Sequence, residues 1–279
     1  MLNNRYIKYC FVSIILLFSF ADANDKQNIN FAPLPMKKAS KNIQDFVPMN
    51  SYLKEKLNLN TTYVYKDNYE DILNSFIKGE IDIAYLGPLP LVSLKQKYPH
   101  IKPIITFKQK NGSDKYRCVL AKFKTDSFLG KKNIKVALTQ PLSTCGYFMT
   151  KKLLKDKFNI KLDEQKYHYT MSHSNAVLGT LSGEYLIAGA KDSIAKKYDS
   201  VGIEIIAKSD YLPGFSLIAN TKTLSIKQIE LIQKTLLEIS PKLYKSWKGI
   251  SAKGFIKANI HDYDVINIKS TTIPLQGNM

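Results

Sequence analysis

Hydroxyl and thiol side chains lie together with a glycine in the run Ser143–Tyr147, whose sequence is STCGY. The apolar residues 134–138 just before it predict a strand, and the run itself opens a predicted helix. At a helix N-terminus the backbone N–H groups lack partners within the helix, and the helix dipole adds positive potential. The run therefore predicts an anion-binding loop. The alternative is a simple N-cap, in which Ser143 or Thr144 only satisfies its own helix.

Two further side chains are candidates for the same ligand. His173 precedes Ser174, a plausible N-cap for a helix over residues 174–181, so its ring can donate a hydrogen bond along the same cleft. Tyr85 lies near the end of the strand predicted over residues 81–86, where a ligand can reach it. The alternatives are a packed or exposed histidine and an ordinary packing tyrosine.

Cys145 and His173 are also the residue types of a nucleophile and its base. The sequence contains no His-Glu-x-x-His and no Cys-x-x-Cys motif, and its four histidines are scattered. We therefore expect a binding protein rather than an enzyme, with no metal site and no cofactor.

The N-terminus has the features of an export signal. Arg5 and Lys8 precede an apolar run over residues 10–20, and Ala21-Asp22-Ala23 fits the small-x-small cleavage rule. Residues 1–23 are therefore predicted to be a signal peptide, with the mature chain beginning near Asn24 in the periplasm. The apolar run is shorter than the ~20 residues of an ordinary membrane span, and an uncleaved anchor is the alternative.

The chain carries a formal net charge of +18. Inside a cell such a charge would suggest nucleic acid, but export argues against that partner, so we expect no nucleic-acid binding. Its lysines are spread in pairs along the sequence, as expected for solvated faces. An exported basic protein still attracts anions over about one Debye length.

Two cysteines remain after the signal peptide, Cys118 and Cys145. In an oxidising compartment they can pair, but sequence does not show whether their Cα atoms approach closely enough. The alternatives are a small buried residue at Cys118 and a pocket residue at Cys145.

Short apolar strands alternate with amphipathic helices along the chain, which predicts an α/β protein with mostly parallel sheets. The polar stretch 108–115 and the turn-rich stretch 210–214 divide this alternation. We therefore expect residues 24–113 and 212–279 to form one lobe, and residues 114–211 to form a second lobe inserted into it. A cleft between two such lobes is a common place to enclose a small ligand.

With these features in place, the sequence resembles the phosphate, phosphite and phosphonate periplasmic binding proteins of ABC importers. The likeness covers nearly the whole mature chain, and it depends on the order of several motifs rather than on any one of them. In chain order the motifs are Pro33-Leu34-Pro35, Pro48 with Tyr52-Leu53, the segment 79–88, Ser143–Tyr147, Ser172-His173, Gly254-Phe255 and Asp262-Tyr263.

The resemblance implies a two-lobed periplasmic binding protein, type II-like, that closes on a tetrahedral oxyanion. The residues that it assigns to the ligand are Ser143, Thr144, Cys145 and Gly146 of the loop, His173 and Tyr85. We expect the anion to dock on the loop from Ser143 to Tyr147, and the first lobe to close over it through Tyr85 and the segment from Pro33 to Met36. Cys145 stands where the family has a serine, and a thiol is the weaker hydrogen-bond donor. Asp192 and Asp210 are candidates for holding an ammonium group if the ligand is an amino-phosphonate.

The same resemblance implies a monomer that delivers its ligand to an ABC permease in the inner membrane. The alternative is an exported sensor that presents an oxyanion or arsenite to a membrane histidine kinase, in which case the Cys145 thiol, with or without Cys118, would be the ligand for a soft element.

Overall fold

The computed structural model describes residues 27–249, 253–268 and 272–279. The predicted signal peptide, residues 1–23, lies outside these ranges. Within them, no helix is both long enough and apolar enough to span a membrane.

The first lobe is built on a six-stranded sheet in the order β13-β4-β12-β3-β1-β2. Its strands are β1 (Asn28–Pro33), β2 (Asn60–Tyr63), β3 (Ile83–Leu86), β4 (Ile101–Phe107), β12 (Ser216–Asn220) and β13 (Phe255–Lys257). The helices of this lobe are α1 (Ala39–Gln44), α2 (Val47–Leu57), α3 (Tyr69–Ile77), α4 (Pro88–Lys97), α8 (Ile226–Leu237) and α9 (Pro241–Ser246).

The second lobe is built on a five-stranded sheet in the order β10-β6-β9-β7-β8. Its strands are β6 (Cys118–Phe123), β7 (Lys135–Leu138), β8 (Lys166–Tyr169), β9 (Ile187–Lys191) and β10 (Ile203–Lys208), and its helices are α5 (Met149–Phe158), α6 (His173–Leu181) and α7 (Asp192–Ala195). A two-stranded ribbon of β5 (Lys115–Tyr116) and β11 (Leu212–Pro213) carries the chain between the lobes. The α/β class and the two-lobed architecture are confirmed.

Helix α3 shows how local sequence sets the elements around the cleft. The Asn68 side chain accepts a hydrogen bond from the Asp71 N–H at 2.8 Å and so caps the first turn. Ile72 and Phe76 are fully buried, and each such side chain stabilises the fold by about 1.5–3 kcal/mol. Gly79 ends the helix with φ +79°, a left-handed conformation that glycine adopts without strain.

Both sheets are mixed, but most strands of each run in one direction, as expected from the sequence. Strand β1 pairs in parallel with β2 and β3, and β7 pairs in parallel with β8 and β9. The strands next to the crossings run the other way: β12 is antiparallel to β3 and β4, and β6 is antiparallel to β9 and β10. The reason is that a chain entering from the other lobe meets the sheet from the opposite end.

The C-terminal tail, residues 272–279, lies against the second lobe, although the predicted lobe boundaries assign it to the first. It follows the edge strand β8, where the Asn278 side chain accepts from the Tyr167 N–H at 2.7 Å and donates to the Gln165 carbonyl at 2.9 Å. The Tyr169 hydroxyl donates to the Pro274 carbonyl at 2.6 Å. The tail thereby covers the backbone groups of an edge that would otherwise be exposed.

Replacing Asn278 should weaken this attachment. We expect Asn278→Ala to lower the free energy of unfolding by about 1 kcal/mol, because it removes two hydrogen bonds to the backbone of Gln165 and Tyr167. Urea unfolding checks this, with Met279→Ala, an exposed neighbour, as the matched control. Equal stability of the two variants would show that the tail adds nothing to the second lobe.

Candidate functional site

A small cavity lies where the two lobes meet. Its volume is about 10 Å³, close to the space that a single water molecule needs, so the lobes are closed on each other in this conformation. The lining residues are Leu34, Tyr69, Gly87, Pro90 and Phe215 from the first lobe, Tyr116 from the ribbon, and Ser143, Thr144, Cys145 and His173 from the second lobe.

The predicted anion loop forms one wall of this cavity. The segment Thr144–Phe148 is a π-helical turn, and the regular helix α5 begins only at Met149. Gly146 breaks the helical geometry with φ −74° and ψ −123°, and a Cβ atom there would lie 2.7 Å from the Gln140 carbonyl oxygen. The loop is therefore kinked tightly against residue 140, which corrects the expectation of a regular helix N-terminus.

Direct hydrogen bonds join this loop to the first lobe. The Leu89 N–H, at the second residue of α4, donates to the Thr144 hydroxyl at 3.0 Å. The Gln140 side chain donates to the Pro35 carbonyl at 2.8 Å and accepts from the Tyr69 N–H at 3.2 Å. The two lobes are thus held together by specific polar contacts as well as by apolar packing.

Two tyrosine hydroxyls also form hydrogen bonds with the loop. Burial raises the pKa of Tyr69 and of Tyr116 above the ordinary tyrosine value, and hydrogen bonds with Ser143 and Thr144, respectively, oppose this effect. Both phenols therefore keep their protons at neutral pH and remain hydrogen-bond donors.

His173 is a neutral donor with a defined tautomer. Its Nδ1 atom accepts a hydrogen bond from the Lys191 N–H at 3.2 Å, so the ring hydrogen is carried by Nε2. Burial, and after it the positive charge of Lys191, lower the pKa of His173 to about 3. The imidazole therefore stays uncharged across the physiological pH range.

Of the residues predicted from sequence, Ser143, Thr144, Cys145 and His173 line the cavity. Gly146 is not among the lining residues and lies at the kink of the loop, packed against the Gln140 carbonyl.

Three other predicted residues lie outside the cavity lining. Tyr85 is one layer behind it, stacked on Phe215 with ring centroids 5.3 Å apart. The Tyr147 hydroxyl donates to Asp163 within the second lobe. Met36 packs against the core of the first lobe, although Leu34 and the Pro35 carbonyl of the same segment do reach the site.

The two predicted acidic residues also lie away from the cavity lining. The Asp192 carboxylate is 2.8 Å from the Lys196 ammonium, one turn further along the chain. Asp210 is exposed beside the ribbon. Asp192 pairs with Lys196, and Asp210 faces solvent. Neither therefore contributes a negative charge to the cavity wall.

Cys118 and Cys145 form a disulfide, with Cα atoms 5.1 Å apart. It ties the anion loop to β6, and both residues are almost fully buried. The sulfur of Cys145 is consequently not a free thiol, which removes it as a nucleophile and as a ligand for a soft element.

Sequence reasoning missed Tyr69, Tyr116, Gln140 and the N-terminus of α4. The strand predicted over residues 81–86 ends at Gly87-Pro88, and no helix is predicted directly after it. The sequence feature that indicates a helix here is Pro88, directly after Gly87, since proline is favoured at the first helical position. Glycine is needed at 87 because a Cβ atom there would lie 2.8 Å from the Phe215 ring.

The chain is similar to known binding proteins. Residues 31–263 match the family model described as ABC transporter, phosphonate, periplasmic substrate-binding protein. Among solved structures, PhnD1 from Prochlorococcus marinus in complex with methylphosphonate is similar, with a TM-score of 0.73 and 15% identity over 86% of this chain and 95% of that one. A binding protein component of an ABC phosphonate transporter from Pseudomonas aeruginosa has a TM-score of 0.70 and 15% identity over 86% and 84%.

The chain therefore belongs to the periplasmic substrate-binding proteins of the phosphonate ABC transporter family. This family consists of binding proteins that work with an ABC permease, not of enzymes, which confirms that prediction. The periplasmic location of the family agrees with the predicted export of this chain.

The tautomer of His173 gives a direct prediction. Between pH 7 and pH 5 we expect its ring to stay neutral with the hydrogen on Nε2, as measured by ¹⁵N NMR of the imidazoles, with His173→Gln assigning the signal. An unfolded chain takes up this proton near pH 6.5, so the contribution to stability is lost as the pH falls from there toward 3. A ring that titrates near pH 6.5 in the folded protein would contradict the buried, neutral assignment.

The disulfide gives a second prediction. It closes a loop with a sequence separation of 27, for which chain entropy predicts a stabilisation of about 3.5 kcal/mol. Cys118→Ser with Cys145→Ser should therefore lower the free energy of unfolding by about 2–4 kcal/mol in urea. The single exposed variant Ser193→Ala is the control. A double variant as stable as the wild type would contradict the pairing.

Proposed function

We propose that this protein binds a small phosphonate-class oxyanion between its lobes and delivers it to an ABC permease. The observation that carries the proposal is the composition of the cavity wall. It presents hydroxyl, imidazole and amide donors, and its ten lining residues include no carboxylate.

An anion leaves water at a high cost unless each of its oxygens meets a donor. Three neutral donor types converge here from both lobes. The donors are the hydroxyls of Ser143, Thr144, Tyr69 and Tyr116, the His173 Nε2–H and the Leu89 N–H. A tetrahedral oxyanion has oxygens in several directions, which matches donors that come from several elements.

The rest of the wall favours a small apolar substituent on the phosphorus. Leu34, Pro90 and Phe215 present carbon atoms to the cavity. Asp192 and Asp210 lie elsewhere, so an ammonium substituent has no carboxylate to pair with among the lining residues. We therefore favour methylphosphonate, phosphite or phosphate over an amino-phosphonate.

Ligand entry requires the lobes to part, because the closed cavity has room for about one water molecule. The ribbon of β5 and β11 is the natural hinge, next to the predicted lobe boundaries at 113/114 and 211/212. The anion would take over donors such as the Leu89 N–H, which the Thr144 hydroxyl satisfies in the closed form. The permease would then recognise the closed shape.

Sensing of arsenite is not part of this proposal. That alternative used a free thiol at Cys145, and the disulfide with Cys118 leaves none there.

Removing the Thr144 hydroxyl tests the proposal. We expect Thr144→Val to weaken binding of methylphosphonate at least tenfold, which is about 1.4 kcal/mol, because valine keeps the shape but offers the anion no hydrogen bond. Isothermal titration calorimetry on the mature chain measures this. Thr62→Val, an exposed position on β2, is the matched control and should bind as the wild type does.

The same titrations with 2-aminoethylphosphonate should give weaker binding to the wild type than methylphosphonate does. If the wild type binds none of methylphosphonate, phosphite and phosphate, the proposed function is wrong. Unchanged affinity in Thr144→Val would place the ligand elsewhere in the molecule.

A further inference from the structure

Lys191 ends β9 directly beside the cavity, and neither the sequence motifs nor the family comparison assigns it a role. Its ammonium nitrogen lies 4.8 Å from the ring centroid of Tyr116 and 5.2 Å from that of Phe215, and both rings line the cavity. Its backbone N–H holds the His173 ring. The charge of Lys191 is therefore separated from the cavity by the thickness of an aromatic ring.

This ammonium group also joins the two sides of the cleft. It donates to the Gln109 side chain at 2.6 Å, across from the second lobe to the polar stretch that leads into the ribbon. Phe215, on the first lobe, is its second aromatic neighbour. The contacts that place Lys191 are thus made when the lobes are closed.

Within the described part of the chain, Lys191 has no carboxylate at ion-pair distance, whereas the neighbouring Lys37 is paired with Asp45. A desolvated cation without a counter-ion is costly, and aromatic faces offset only part of that cost. The charged or titratable groups around it are Lys37 with Asp45, Tyr116, Arg117, His173, and Asp192 with Lys196.

We propose that Lys191 supplies the positive charge that neutralises the bound anion. This inference rests on the proposed function, since it concerns the same cavity. In a closed, poorly hydrated site, a charge one ring away from the ligand acts through a low dielectric and is weakly screened. The hydroxyls then orient the bound anion, and Lys191 neutralises its charge.

Neutralisation of the anion by Lys191 makes binding depend on pH. Burial, and after it the charge of Lys37, lower the pKa of Lys191 to about 8 in the closed protein without ligand. A bound anion favours the charged form and raises this pKa, so binding takes up a proton at pH values above about 8. Affinity should therefore be lost as the pH rises through that value.

Three variants test this by calorimetry with methylphosphonate at pH 7 and across pH 7.5–9.5. Lys191→Met should weaken binding at least tenfold at pH 7. Lys191→Arg should bind well and should show no loss above pH 8, because guanidinium stays charged. Lys157→Met, which removes an exposed lysine of the same lobe, is the control and should follow the wild type. The ionisation of the ligand is common to all four proteins and cancels in the comparison.

Wild-type affinity in Lys191→Met, or pH profiles that coincide for the wild type and Lys191→Arg, would overturn the proposal. If Lys191→Met does not fold, the arginine profile decides alone. These outcomes differ from failure of the proposed function. If the proposed function is wrong, the wild type binds none of the oxyanions. If only the role of Lys191 is wrong, the wild type binds them and replacement of Lys191 leaves the affinity unchanged.

Discussion

The hydrogen bond between the Leu89 N–H and the Thr144 hydroxyl is the contact on which the closed site depends. It joins the start of a helix in one lobe to the anion loop of the other, and it is buried. A buried amide without an acceptor costs about 1–3 kcal/mol, so the lobes close fully only when that amide is satisfied. A hydroxyl satisfies it in this structure, and an anionic oxygen is the stronger acceptor for the same group.

The disulfide between Cys118 and Cys145 fixes the position of the loop that makes this contact. It holds the loop to the first strand of the second lobe, next to Lys191, which pairs with Cys118 in the sheet. At Cys145 the loop therefore has a covalent anchor rather than a further hydroxyl donor.

Much of the architecture was predictable because it follows from local rules. The strand predicted over residues 134–138 and the helix predicted over residues 174–181 are present in the structure as β7 and α6. The anion loop was predictable from residue types at one place in the chain. By contrast, α4 was missed because its prolines are typical of a loop, although proline is well tolerated in the first turn of a helix.

The rest of the site depends on distances that the sequence does not contain. Gln140, Tyr69 and Tyr116 come to the cavity only because two lobes fold against each other. Pairing of Cys118 with Cys145 required the approach of two segments separated by 27 positions. Asp192 had the right chemistry for an ammonium group, but its carboxylate pairs with Lys196 instead.

A crystal structure of the mature chain with methylphosphonate at neutral pH tests the central claim most directly. We expect a phosphonate between the lobes, with its oxygens within hydrogen-bond distance of the Thr144 hydroxyl and the His173 Nε2 atom. A ligand bound outside the cleft, or one inside it that contacts neither of these groups, would contradict the account.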